Sequence, residues 1–100
     1  MTRYLLTPEA EQDLDQIAAY LMDEGGVGLV SYVLGRLQRG MRLVGDMPGI
    51  GHARQDLTDD PVKFWSVFSY LIVYDPRPRP IHVLRVVHGS RDIASMLVGR

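Results

Sequence analysis

Between Val62 and Asp92 the chain reads VKFWSVF, SYLIVYD, PRPRP, IHVLRVVHG and SRD in succession. The three apolar segments are rich in Val, Ile, Tyr, Phe and Trp, residues that suit a pleated, half-buried surface. The last two are parted by Pro76, Pro78 and Pro80, none of which can donate a ladder hydrogen bond. The stretch therefore predicts a three-stranded antiparallel meander with its prolines in a connecting loop. Its last strand and the turn after it carry a His, two Arg and an Asp to one end of the sheet.

What precedes the meander reads as helical. Arg3 to Thr7 is short and apolar and suits a strand entering the domain. Thr7 followed by Pro8 is a helix start, because Thr can accept from an exposed N–H and Pro is pre-set for the first helical position. Glu9, Glu11, Asp13 and Asp15 place negative charge where the helix dipole favours it. Ala10, Leu14, Ile17 and Leu21 recur at helical spacing, and Gly25 and Gly26 end this helix. A second helix runs from about Val27 to Asp46, with Val30, Val33, Leu34, Leu37, Met41 and Val44 on one face. Arg36, Arg39 and Arg42 lie around its other side. Gly35, Gly40 and Gly45 each cost about 1 kcal/mol against Ala, so they mark either a close neighbour or a soft helix. The GGVG linker makes the two helices an antiparallel hairpin. Met47 to Pro61 is a Pro- and Gly-punctuated loop that Leu57 can pin to the core. The expected fold is α+β: a strand, an antiparallel helical hairpin, a three-stranded antiparallel meander packed on the helices, and a short C-terminal helix or tail. One hundred residues predict a single domain, 1–100.

The meander can be aligned. If Asp75 and Ile81 flank the loop, Val73 faces Val83, Leu71 faces Arg85 and Ile72 faces Leu84. One face then carries Tyr70, Ile72, Tyr74, Leu84 and Val86, with His82 at its edge. The other carries Leu71, Val73, Ile81, Val83 and Val87, with Arg85 among them. Both faces are apolar, whereas a sheet with one solvated side alternates more cleanly. The helices cover one face. The other is either an interaction surface or the seat of a C-terminal segment folded over it.

Chemistry-bearing patterns are sparse. His82 and His88 lie on one strand about 20 Å apart at the usual rise per residue, too far for one metal ion, and His52 has no spaced partner. Gly25-Gly26-Val27-Gly28 lacks the preceding strand and the Lys-Ser/Thr ending of a phosphate loop. The PRPRP segment resembles a polyproline ligand but sits where a hairpin loop is needed. Phe64 and Trp65 suit a core better than a base-stacking platform. The formal net charge of −1 gives no bulk field toward nucleic acid or membrane. Lys63 is the single lysine among 11 basic residues, so basic contacts would be planar guanidinium contacts. No cysteine is present, which fits a reducing compartment. The opening MTRYLLTPEAEQ has no apolar run long enough for a signal peptide or a membrane span. A cytoplasmic protein with no membrane partner, no cofactor and no metal is the expectation. Arg85, His88, Arg91 and Asp92 form the terminal cluster. Individually they brace the strand end; together they could contact a phosphate or an acidic protein surface.

The order strand–helix–helix–three strands, opened by Tyr4-Leu5-Leu6-Thr7-Pro8-Glu9-Ala10, resembles the RelE/ParE toxin superfamily. Asp13-Leu14 and Ile17, Pro48-x-Ile50-Gly51-x-x-Arg54, Tyr70-Leu71-Ile72-Val73-Tyr74 and Val86-Val87-His88 are similar to its ParE branch. His88-Gly89-Ser90-Arg91-Asp92 makes a ParE-like close. The resemblance covers nearly the whole chain and implies the toxin of a type II toxin–antitoxin pair. It further implies DNA gyrase as target, a ParD-like antitoxin that wraps the toxin in a hetero-oligomer, and no direct nucleic-acid binding. RelE-like relatives instead cleave mRNA on the ribosome with a Lys/Arg cluster and a terminal Tyr or His. Here SRDIASMLVGR holds no Tyr and Lys63 stands alone, which favours a poison that binds without doing chemistry and has no catalytic residue. The alternatives are a ribosome-dependent endoribonuclease working through Arg54, Arg85, His88 and Arg91, and a non-toxic relative that keeps only its partner. On the toxin reading, Arg85, His88, Arg91 and Asp92 are candidates for target contact. Leu14, Ile17, Leu21, Val33, Leu37, Leu71, Val73 and Val83 are candidates for antitoxin binding.

Overall fold

The computed structural model describes residues 3–90 together with Ile93 and Met96. Its elements are β1 (Tyr4–Leu6), α1 (Pro8–Asp46), a 3₁₀ turn (Pro48–Ile50), β2 (Lys63–Val67), β3 (Tyr70–Asp75) and β4 (Ile81–His88). The architecture is α+β, one long helical segment on a four-stranded mixed sheet of order β1-β4-β3-β2. β1 runs parallel to β4, and the β4–β3 and β3–β2 pairs are antiparallel.

Thr7 joins sheet to helix. Its hydroxyl accepts from the Ala10 N–H at 3.1 Å, the cap that the Thr-Pro pair predicts, and donates to the Leu84 carbonyl at 2.8 Å. Its own N–H donates to the Val83 carbonyl at 3.1 Å. The helix entrance is thus fastened to β4.

The expected four-residue linker between two helices is absent, because helical backbone continues on both sides of one residue. Gly26 alone departs from it, with φ 78° and ψ −169°, a conformation that a Cβ makes costly. A straight helix of 39 residues would measure about 58 Å, whereas the longest dimension of the molecule is 37 Å. The break therefore turns the chain sharply. By length and composition alone, a stretch of α1 with mean hydropathy 1.2 over 18 residues is apolar enough to cross a membrane, which the sequence reading did not anticipate. The break denies it the form of one straight rod.

Both halves of α1 pack on the sheet. Ala10, Ile17 and Leu21 from the first half, and Val33, Leu37, Met41 and Val44 from the second, bury against Ile72, Tyr74, Ile81, Val83 and Val86. Gly40 marks a close approach: a Cβ there would lie 2.8 Å from Val67 Cγ2 and 3.1 Å from Ile72 Cδ1. At Gly45 a Cβ would meet the Arg3 backbone, whereas at Gly35 it would meet open space. Two of the three glycines thus answer to neighbours.

The register differs from the one expected. Val73 pairs with Arg85, Tyr74 with Val83 and Asp75 with His82, with a shift between Val73 and Tyr74 that leaves Leu84 as the extra residue. A bulge of this kind resets which side each residue faces. Ile81 and Val83 therefore lie under α1, while Leu84 joins Leu71, Val73 and Val87 on the far face. That far face is covered from within the chain: Leu57 and Val62 from the loop, and Ile93 and Met96 from the C-terminal segment, pack on it. The rest of the expected C-terminal helix or tail lies outside the described residues.

Candidate functional site

An open cleft of about 650 Å³ lies between the turn of α1 and the end of the sheet where β2 meets β3 and β4 ends. Ile17 and Val33 form part of its floor, Tyr20 and Tyr32 stand on the helical wall, and Phe68, Tyr70 and His88 stand on the sheet wall. Three of its aromatic side chains are more than half exposed: Tyr20 at 59%, Tyr32 at 56% and Phe68 at 53%. Val27, at the helical break above them, is 67% exposed. Clustered exposure of large apolar side chains around a concavity is a mark of an interaction surface.

Phe68 is held out by backbone geometry. It begins the two-residue turn between β2 and β3 with φ 54°, a region that non-glycine residues seldom occupy. Its ring centroid lies 5.8 Å from that of Tyr32. The Arg36 guanidinium carbon stands 5.0 Å from the Phe68 ring centroid, within range of a cation–π contact. An Arg36 guanidinium N–H also donates to the Tyr32 hydroxyl at 3.5 Å. Tyr20 donates to Glu24 at 3.4 Å, one helical turn on. At the back of the cleft, burial pushes the Tyr70 phenol above its ordinary value, with the nearby Tyr20 adding to the effect.

The terminal cluster is not one constellation. Asp13, only 6% exposed, accepts from Arg85 Nε at 2.7 Å, from Arg85 Nη2 at 2.9 Å and from the Val86 N–H at 2.9 Å. Hydrogen bonding to Asp13 raises the Arg85 pKa above its ordinary value. The Arg85 charge is thereby turned toward the helix. His88 is exposed at the mouth of the cleft, edge-on to Tyr70 with centroids 5.5 Å apart at 83°. Ser90 N–H donates to His88 Nδ1 at 3.2 Å, and the Ser90 hydroxyl lies 2.6 Å from the same atom. The other nitrogen, Nε2, is left as the ring's donor. Arg91 and Asp92 lie outside the described residues. Among the described residues, no group of three His, Asp or Glu side chains could hold a metal ion.

The proposed antitoxin contacts are placed mainly inside. Leu37, Val73 and Val83 are fully buried, and Ile17, Leu21, Val33 and Leu71 are no more than 9% exposed. Leu14 is partly buried against the same core. Periodicity finds the stripe that closes a helix onto its own sheet, which explains why those positions have little surface left in this conformation. Leu71 and Val73 face the side covered by Leu57, Val62, Ile93 and Met96. Sequence reasoning missed Tyr20, Tyr32 and Phe68 as site residues. The available signal was two tyrosines lying off the apolar stripe of α1, on flanks where lysine or glutamate would be ordinary.

Residues 4–93 match the family model described as the ParE toxin of the type II toxin–antitoxin system parDE. Toxin ParE3 of Caulobacter vibrioides (strain ATCC 19089 / CIP 103742 / CB 15) is 25% identical over 97 residues, which span 97% of this chain and 96% of that protein. The family match takes in every strand, the whole of α1 and the aromatic cleft. This chain belongs to the ParE toxin family, the toxin half of a type II toxin–antitoxin system.

Proposed function

We propose that this chain poisons DNA gyrase in the cytoplasm and is neutralised by a ParD-like antitoxin that docks in the aromatic cleft. The observation that carries the antitoxin part is the exposed trio of Tyr20, Tyr32 and Phe68 around an apolar floor. Such a groove suits the apolar face of an amphipathic helix, whose anchors recur at three- and four-residue spacing. The gyrase part leans on family membership and on what the arginines are doing. Of the groups that a ribonuclease of this superfamily would use, Arg85 is bound bidentately by the buried Asp13. A guanidinium already matched to a carboxylate is poorly placed to cradle a developing phosphate charge.

Expression of the chain without an antitoxin tests both parts in cells. Growth should arrest with transcripts intact and with signs of DNA damage, and co-expression of the antitoxin should restore growth. Codon-register cuts in mRNA would instead support the ribonuclease. Normal growth would leave a partner-binding relative without toxicity.

A further inference from the structure

β2 lies at the edge of the sheet, and its outer side is only half occupied. The two-residue turn at Phe68-Ser69 makes Val67 and Tyr70 a hydrogen-bonded pair. By alternation, Phe64 and Ser66 then point their backbone groups away from β3. Phe64 shows this directly: its N–H donates to the His52 carbonyl at 2.8 Å, and its carbonyl accepts from the His52 N–H at 2.9 Å. Ser66 has the same orientation and is exposed, and among the described residues no backbone partner meets it. An open strand edge of this kind is a template for an added strand.

The groove beside this edge is basic. About 570 Å³ in volume, it is walled by Arg36, Arg39 and Arg42 of α1 on one side and by Trp65 and Ser66 on the other. Its single carboxylate, Asp46, is already paired with Arg3 at 2.8 Å. Among the described residues neither Arg39 nor Arg42 forms an ion pair, and both are exposed. This local excess of positive charge stands in a chain whose formal net charge is −1. Arg36 and Arg42 are separated by about 9 Å along a helix axis. Alternate side chains of an extended strand are about 7 Å apart, so two carboxylates at alternate positions can reach the arginines at the two ends of this row.

We infer that the β2 edge and its arginine wall form a second docking site, which takes an extended acidic segment of a partner protein as an added strand beyond His52. The site adjoins the aromatic cleft, sharing Phe68 with it, and it rests on and deepens the reading of a toxin held by a protein partner. A backbone edge selects a polypeptide over a nucleic acid, because only a peptide offers the matching N–H and C=O pair.

Trp65 is the single tryptophan of the chain and lines the groove, so its fluorescence reports occupancy. The intact protein is titrated with an eight-residue peptide alternating Thr and Glu. Parallel titrations use the same peptide N-methylated at alternate residues on its pairing edge, and a single-stranded oligothymidylate of equal charge. The Thr-Glu peptide should shift the Trp65 signal and slow hydrogen exchange at the Ser66 amide. N-methylation and the double substitution Arg39→Glu/Arg42→Glu should each weaken binding at least tenfold. No binding of the Thr-Glu peptide overturns the inference. So does equal affinity for the N-methylated peptide, which would leave charge alone, and so does tighter binding of the oligothymidylate. Growth arrest and gyrase inhibition are read separately, so failure here is distinguishable from failure of the proposed function.

Discussion

Asp13→Ala is expected to lower the free energy of unfolding by about 3–5 kcal/mol, the range for removing one partner of a buried, hydrogen-bonded ion pair. The carboxylate satisfies three donors at once, two from Arg85 and one from the backbone of Val86. It also joins the first half of α1 to the bulged part of β4. Without it, a guanidinium whose side chain is only 20% exposed loses its counter-charge, and the buried Val86 N–H loses its acceptor. Small domains are held by roughly 5–15 kcal/mol in all, so this one substitution removes about a fifth of the total or more. Asp13→Asn keeps an acceptor of similar shape without the charge and should cost less than Asp13→Ala. Urea unfolding followed by circular dichroism measures both. A midpoint for Asp13→Ala indistinguishable from the parent would show that the pair contributes nothing net.

The second large effect is expected on binding. Replacing Tyr32 with Ala and Phe68 with Asn together should weaken antitoxin affinity by about 2–4 kcal/mol, since buried aromatics dominate interface energetics. That corresponds to roughly 30- to 1000-fold in Kd. Asn is chosen at position 68 because it tolerates the positive φ found there. Both side chains are more than half exposed, so stability should change little. Calorimetric titration of the purified toxin with its antitoxin reads the affinity, and a thermal melt of the free toxin separates binding from folding. Unchanged affinity would move the antitoxin to another surface.

Several local signals in the sequence match the structure, whereas the GGVG stretch, expected as a linker, departs from helical backbone only at Gly26. The Thr7–Pro8 start, the strand segments and the pinning role of Leu57 all rest on neighbours in sequence or on simple apolar patterning. Positions set by partners far along the chain were not readable. Asp13 looked like one of several acids at a helix start, yet it pairs with a residue 72 positions away. Arg85 accordingly looked available for a target, and the structure ties it to the helix. The bulge at Leu84 carries no composition signal, because Val-Leu-Arg-Val-Val alternates poorly in either register. Without the bulge, Val83 and Leu84 fall on the wrong faces. The aromatic cleft was missed for a related reason. Apolar periodicity points to what a helix buries, whereas a binding site is made of what it leaves out.

On the proposed function, the toxin acts by binding its target and is silenced by occupation of its own surface. The most direct measurement is DNA supercoiling by purified gyrase in the presence of this chain, alone and with an equimolar amount of its antitoxin. The chain alone should block supercoiling or trap cleaved DNA, and the antitoxin should restore full activity. Undiminished supercoiling with the chain in large excess over gyrase would contradict the account.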